Sequence, residues 1–188
     1  MKLWKILKTM ENTQKNSKNR TIILTGMMGA GKSTVGSVLS RKLKLGFIDL
    51  DNLIEKTQKL TIPEIFKLYG EEKFREMECD VICDIEEGKN LVISTGGGIV
   101  ESKKNISKLR EIGRIYYLKA PYDVLYERIK HDTKRPLLMT KDPKATLKEI
   151  LDRRKMKYEC ADFKIDTVEK SAKAIADEII GIYEKING

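Results

Sequence analysis

A chain of 188 residues, 40% hydrophobic and 35% charged, has the size and balance of one globular domain with a sizeable core. No apolar run approaches the roughly 18 residues of a membrane-spanning helix, and Lys2, Lys5 and Lys8 interrupt the apolar start, so neither a membrane partner nor an export signal is expected and the location expected is cytoplasmic. The net charge of +9 raises nucleic acid as a partner, but six Lys/Arg against one acid lie within residues 1–20, leaving a surplus of only four on the rest. That distribution argues against nucleic acid and suits a small anionic substrate.

Residues 1–20 read as a basic, disordered extension, and residues 21–188 as a single domain with no linker and no internal repeat. "TIILT" (21–25) is a β-branched strand that runs straight into "GMMGAGKST". From Lys32 to about Lys44, Val35, Val38, Leu39 and Leu43 recur on one helical face. "GFIDLD" (46–51) reads as a second strand ending in acids. Two short helices follow, the second with a Thr61/Glu64 capping box and Gly70 as its C-cap. A charged helix over 71–87 repeats Phe74, Met77, Val81 and Ile85 on one side. "LVIST" (91–95) is a third strand, closed by Gly96, Gly97 and Gly98. A helix near 102–112, a strand over 114–120 and a helix opened by Pro121 come next. Residues 131–143 hold two prolines and little core periodicity, as a loop or lid does. A helix near 144–159, a strand over 163–166 and a helix over 168–186 complete the order. Strands alternating with helices predict an α/β fold with a parallel sheet of about five strands.

Three cysteines, an odd number, read as reduced, partly buried thiols; His131, the one histidine, reads as a surface residue.

Gly26, Gly31, Lys32 and Ser33 match G-x-x-x-x-G-K-[ST] between a strand and a helix. Glycines let successive backbone N–H groups turn onto phosphate oxygens, and the following helix adds its positive end. Lys32 suits the β- and γ-phosphates, and the Ser33 hydroxyl suits Mg2+. The pattern predicts a nucleoside triphosphate site without naming what receives the phosphate.

Three features narrow the acceptor. Asp49 and Asp51 are two apart at a strand end and point to one side, one suited to the metal and the other to a substrate hydroxyl; Asp51 would equally serve as a helix N-cap. Gly96–Gly98 fit close approach of backbone to a ligand, or a tight turn. Arg75, Arg135 and Arg154 suit a carboxylate or a transferring phosphoryl group, although each alone would pass for a surface side chain. No Walker B acid ends the third strand, which weakens a motor or helicase reading.

Together, "GMMGAGKST", "FIDLD", "EEKFREME", "STGGGIV", "DTKRPLL" and a late "RR…Y…AD" resemble the shikimate kinase family, over about residues 21–180. The resemblance implies a three-layer α/β/α P-loop kinase fold, with substrate-binding helices over about 50–80 and a lid over about 131–143. It implies transfer from ATP, with Mg2+, to the 3-hydroxyl of shikimate in aromatic amino-acid biosynthesis, by an enzyme expected to be monomeric. Gly29, Ala30, Gly31, Lys32, Ser33 and Thr34 would bind ATP, with Arg128 beside the adenine. Ser33 and Asp49 would bind the metal. Lys32, Asp51 and Arg135 would be catalytic, Asp51 as the candidate base and Arg135 reaching the phosphates from the lid. Asp51, Arg75, Arg154 and the backbone of Gly96, Gly97 and Gly98 would hold shikimate.

One departure is Met156, which stands where the family has proline if Arg154 is the match; counting from "AD" favours Arg153 instead. Helical phase puts Ile150, Arg154 and Tyr158 on one face and favours Arg154. A kinase of another hydroxylated metabolite such as gluconate, and a nucleotide switch or nucleic-acid-binding ATPase, are the competing readings.

Overall fold

The computed structural model describes residues 21–132 and 135–187. The expected extension over 1–20, and Thr133 and Lys134 of the expected lid, lie outside them. Five parallel strands form one sheet in the order β2-β3-β1-β4-β5: β1 (Thr21–Thr25), β2 (Gly46–Asp49), β3 (Leu91–Ser94), β4 (Gly113–Lys119) and β5 (Phe163–Asp166). Seven α-helices among the described residues pack on both faces, giving the three layers expected of the α/β class. They are α1 (Lys32–Leu43), α2 (Leu50–Gln58), α3 (Ile62–Cys83), α4 (Lys103–Ile112), α5 (Tyr122–Ile129), α6 (Pro143–Tyr158) and α7 (Ala172–Asn187). None is long and apolar enough to cross a membrane.

The central strand has helices on both sides, which is why β1 is apolar at consecutive rather than alternate positions. Ile22, Ile23 and Leu24 are wholly buried. Parallel pairing sends every strand's carboxyl end to the same edge. The register aligns Asp49 of β2 with Ser94 of β3, and Ser94 with Leu24 of β1. The phosphate-loop sequence, the acid pair and the glycine triplet, far apart in the chain, therefore leave the sheet side by side.

Helix ends follow local chemistry. The capping box at α3 forms in both directions between Thr61 and Glu64. Gly70 has φ 79° and ψ 175° and breaks α3 into two helical stretches, at the residue the sequence marks as a stop. The helix after the break buries Phe74, Met77 and Val81, and Ile85 is buried just past its end.

Some boundaries differ from expectation. The second strand stops at Asp49, because the Asp49 side chain accepts the Asn52 N–H and starts α2 at Leu50. Asp51 thus lies in a helical first turn, not on a strand, and Asp49 is the cap. The last helix begins at Ala172, after Ser171 accepts the Ala174 N–H. Short 3-10 turns occur at Ile99–Glu101 and, within the expected lid, at Pro136–Leu138. Cys83 and Cys160 are exposed rather than partly buried, Cys79 is half-buried, and none is in a disulfide.

Gly36 on α1 faces β2 so closely that a methyl group there would sit 2.5 Å from the Phe47 ring. Gly36→Ala is expected to destabilise the fold by about 1–3 kcal/mol through overpacking, read as a lower urea midpoint.

Candidate active site

The loop between β1 and α1 is shaped for an anion. Gly29 (φ 82°) and Gly31 (φ 91°) take left-handed conformations that side-chain-bearing residues rarely adopt. Gly31 precedes α1 with no side-chain cap, which leaves the helix's first N–H groups free for a ligand. Gly29, Gly31, Lys32, Ser33 and Thr34 line one cleft. Ala30 does not: its side chain is buried, and its N–H bonds to the Met27 carbonyl at 3.1 Å.

Lys32 is buried and donates to the carbonyl oxygens of Gly26 (2.8 Å) and Met27 (3.0 Å). Burial lowers its pKa to about 8, with Asp51 opposing that shift and Arg135 adding to it. The Ser33 hydroxyl donates to Asp49 Oδ2 at 2.6 Å and lies 3.3 Å from the Ser94 hydroxyl. Two hydroxyls and a carboxylate beside a phosphate loop are hard oxygen donors, and they fit Mg2+, which binds through few protein oxygens together with phosphate. Nothing in the sequence marks Ser94, which occupies the end of β3, where a Walker B acid is absent.

Arg128 on α5 spans two loops. It donates to the Gly29 carbonyl at 3.3 Å, and to Thr167 at its hydroxyl (3.1 Å) and its carbonyl (2.8 Å). It lines the same cleft as the loop and not the cavity described next.

A second cavity opens beside the glycine triplet, lined by Asp51, Phe66, Arg75, Glu78, Arg135 and Arg154 as well as Gly96–Gly98. Arg75 donates to Glu78 and to Glu71, both at 2.7 Å. Glu78 is 1% exposed; burial raises its pKa against the pull of Arg75. The glycines make this crowding possible. A methyl group at Gly96 would lie 2.6 Å from a Glu78 oxygen and 2.8 Å from Asp51 Oδ1, and one at Gly98 would overlap the Arg75 guanidinium. The close approach recorded at Gly96 and Gly98 is that of the protein's own charged side chains.

Arg154 is 1% exposed, whereas Arg153 beside it is 59% exposed and does not line the cavity. The face that carries Ile150, Arg154 and Tyr158 is buried. Arg154 donates to the Gly97 carbonyl (3.3 Å) and to Glu101 (2.7 Å). The Tyr158 hydroxyl donates to the same Gly97 carbonyl, and the Tyr158 ring stacks on Tyr117 with centroids 4.9 Å apart. Sequence reasoning passed over Glu78 and Glu101. Glu78 closes the "EEKFREME" motif, but nothing in one sequence marks which acid of a charged helix is buried.

The cleft and the cavity share a wall that includes Asp51, Gly97 and Arg135. Burial, and next Asp49, raise the Asp51 pKa, while Lys32, Arg135 and Arg75 oppose them. Arg135 Nε donates to Asp132 at 3.0 Å, which sets its guanidinium at the junction of the two spaces.

The comparisons with known proteins agree with this geometry. The Shikimate kinase family model matches residues 28–184. A shikimate kinase of Thermodesulfovibrio yellowstonii is 41% identical over 168 residues, covering 89% of this chain and 97% of its own. Among solved structures, the shikimate kinase from Acinetobacter baumannii in complex with shikimate superposes with a TM-score of 0.85 at 36% identity, covering 89% of this chain and 94% of that one. A gluconokinase from Sinorhizobium meliloti, at 18% identity and a TM-score of 0.51 over 88% of this chain and 92% of its own, shares the fold alone. A phosphate loop, a buried aspartate and paired arginines meet in a chain that matches one family model along most of its length: it belongs to the shikimate kinase family.

Proposed function

We propose that this chain transfers the γ-phosphoryl group of ATP to the 3-hydroxyl of shikimate, giving ADP and shikimate 3-phosphate. The observation that carries this reading is the shared wall. Asp51 and Arg135 face a nucleotide cleft on one side and a cavity holding two arginines on the other. Shikimate offers a carboxylate for arginines and hydroxyls for an aspartate. Its relation to the gluconokinase neighbour is one of fold, so gluconate is the weaker candidate.

Phosphoryl transfer depends mainly on positioning and charge stabilisation. In this reading the phosphates bind the N–H groups of Gly29 and of residues 31–34, and Lys32 leaves its two carbonyl partners to meet them. Ser33 and Asp49, with Ser94 beside them, would hold Mg2+, which neutralises phosphate charge when bound. Arg75 and Arg154 grip the substrate carboxylate, and Gly96–Gly98 approach the ring with backbone. Asp51, its pKa raised by burial, accepts the attacking hydroxyl's proton. Arg135, on a lid over 131–143, stabilises the transferring group, and the closed lid excludes water. Arg128 tethers the loops that would flank the adenine.

ADP release with MgATP is expected with shikimate and not with gluconate or without an acceptor; turnover on gluconate alone would sink the proposal. Arg154→Met should raise the shikimate KM by roughly 10- to 100-fold, the loss of a charge-assisted pair, with little change in the ATP KM. If Arg153→Met does this instead, the neighbouring arginine is the ligand.

The Lys32 pKa near 8 has two pH consequences. Between about 8 and its ordinary 10.5 the unfolded chain binds the extra proton, so burial of Lys32 costs stability below pH 8 and that cost fades as pH rises. Binding of ATP needs the charged form. Titration calorimetry in buffers of different ionisation enthalpy should therefore show proton uptake with MgATP at pH 9 and almost none at pH 7. Uptake at pH 9 that persists in Lys32→Arg would assign the effect to another group.

A further inference from the structure

Resting on the reading of Arg154 as a ligand of the substrate carboxylate, we infer that Glu101 is a resident counter-ion that competes with that carboxylate for Arg154, and that Arg153 tunes the competition from outside. Arg154 is fully buried, so its charge must be compensated inside the protein. Glu101 supplies the compensation, accepting from Nη2 at 2.7 Å. Nη1 reaches only a carbonyl, that of Gly97, at 3.3 Å. Nε is buried with no partner. The guanidinium is therefore neutralised by one carboxylate while part of its donor fork is left unused beside the cavity.

Glu101 is itself divided. Its second oxygen lies 3.0 Å from Arg153 Nε in an ion pair, and Arg153 is largely in solvent. One carboxylate thus bridges a buried and an exposed arginine from adjacent helix positions. Burial raises the Glu101 pKa, but the hydrogen bond and charge of Arg154, with Arg153 behind them, hold it below the usual carboxylate range. Glu101 stays ionised at neutral pH beside the donors that a second carboxylate would use.

Two carboxylates around one buried guanidinium repel each other, so the incoming acid binds against the charge of Glu101. Arg153 draws part of that charge outward. Removing the Glu101 charge should favour an anionic ligand over an uncharged one, and removing Arg153 should do the reverse. The effect is on charge selectivity, which separates it from a purely structural role.

The test compares the inhibition or Michaelis constants of shikimate and its uncharged carboxamide in the full chain. In Glu101→Gln, which keeps an acceptor for Nη2, the preference for the acid should rise on the order of 3- to 10-fold, the scale of one partly screened charge. In Arg153→Gln, at an exposed position that leaves the core intact, it should fall by a smaller factor. An unchanged preference in both variants overturns the inference, as does a shift of acid and carboxamide together. If Glu101→Gln does not fold, Arg153→Gln decides alone. Arg154→Met separates the two levels. If it abolishes the preference for the acid while the other variants leave it fixed, only the role of Glu101 falls. If it leaves the preference intact, the reading of Arg154 as the carboxylate's partner falls with it.

Discussion

The parallel registration of β2, β3 and β1 is the constraint on which the rest of the molecule depends. Asp49, Ser94 and Leu24 lie abreast on neighbouring strands. A one-residue slip of β2 would send Asp49 to the other face of the sheet. The hydroxyl of Ser33 reaches Asp49 only because β1 delivers the loop two strands away at the same level. This register is held by wholly buried apolar side chains such as Ile22, Ile23, Val92 and Ile93. The polar edge thus inherits its precision from the hydrophobic interior below it.

Above that edge, the chain concentrates charge at a density that water would otherwise disperse. Arg75, Arg154, Arg135 and Lys32 meet Asp51, Glu78, Glu71 and Glu101 in a small space. Each buried cation has an acid or a carbonyl as a partner, as low-dielectric burial demands. Three glycines keep the backbone out of the way. The result suits a reaction whose catalysis is mainly the placement of charge.

Much of this was legible from sequence because it rests on local rules. The phosphate loop is a contiguous pattern, the Thr61–Glu64 box and the stop at Gly70 are backbone chemistry, and apolar runs announce strands buried on both sides. The phase argument that set Arg154 on the face of Ile150 and Tyr158 also matches the burial of all three. What sequence could not supply was competition between nearby choices. Whether Asp49 or Asp51 caps α2 depends on where Asn52 N–H points, and the cap went to Asp49. Glu78 and Glu101 gain meaning only from arginines 3 and 53 positions away, and no periodicity encodes the second of these.

The Gly97 carbonyl accepts from both Arg154 and Tyr158, and the Tyr158 ring is pinned by Tyr117. Three consecutive glycines form the loosest stretch of backbone a chain can contain, and ordering it carries a large entropic cost. Here that cost is met during folding, through two donors fixed on α6. The peptide planes that flank Gly97 are set before any ligand arrives, so a substrate touching this turn meets a finished template and spends little of its affinity on freezing it. The softest residues in the sequence are thereby made one of the stiffer surfaces of the site.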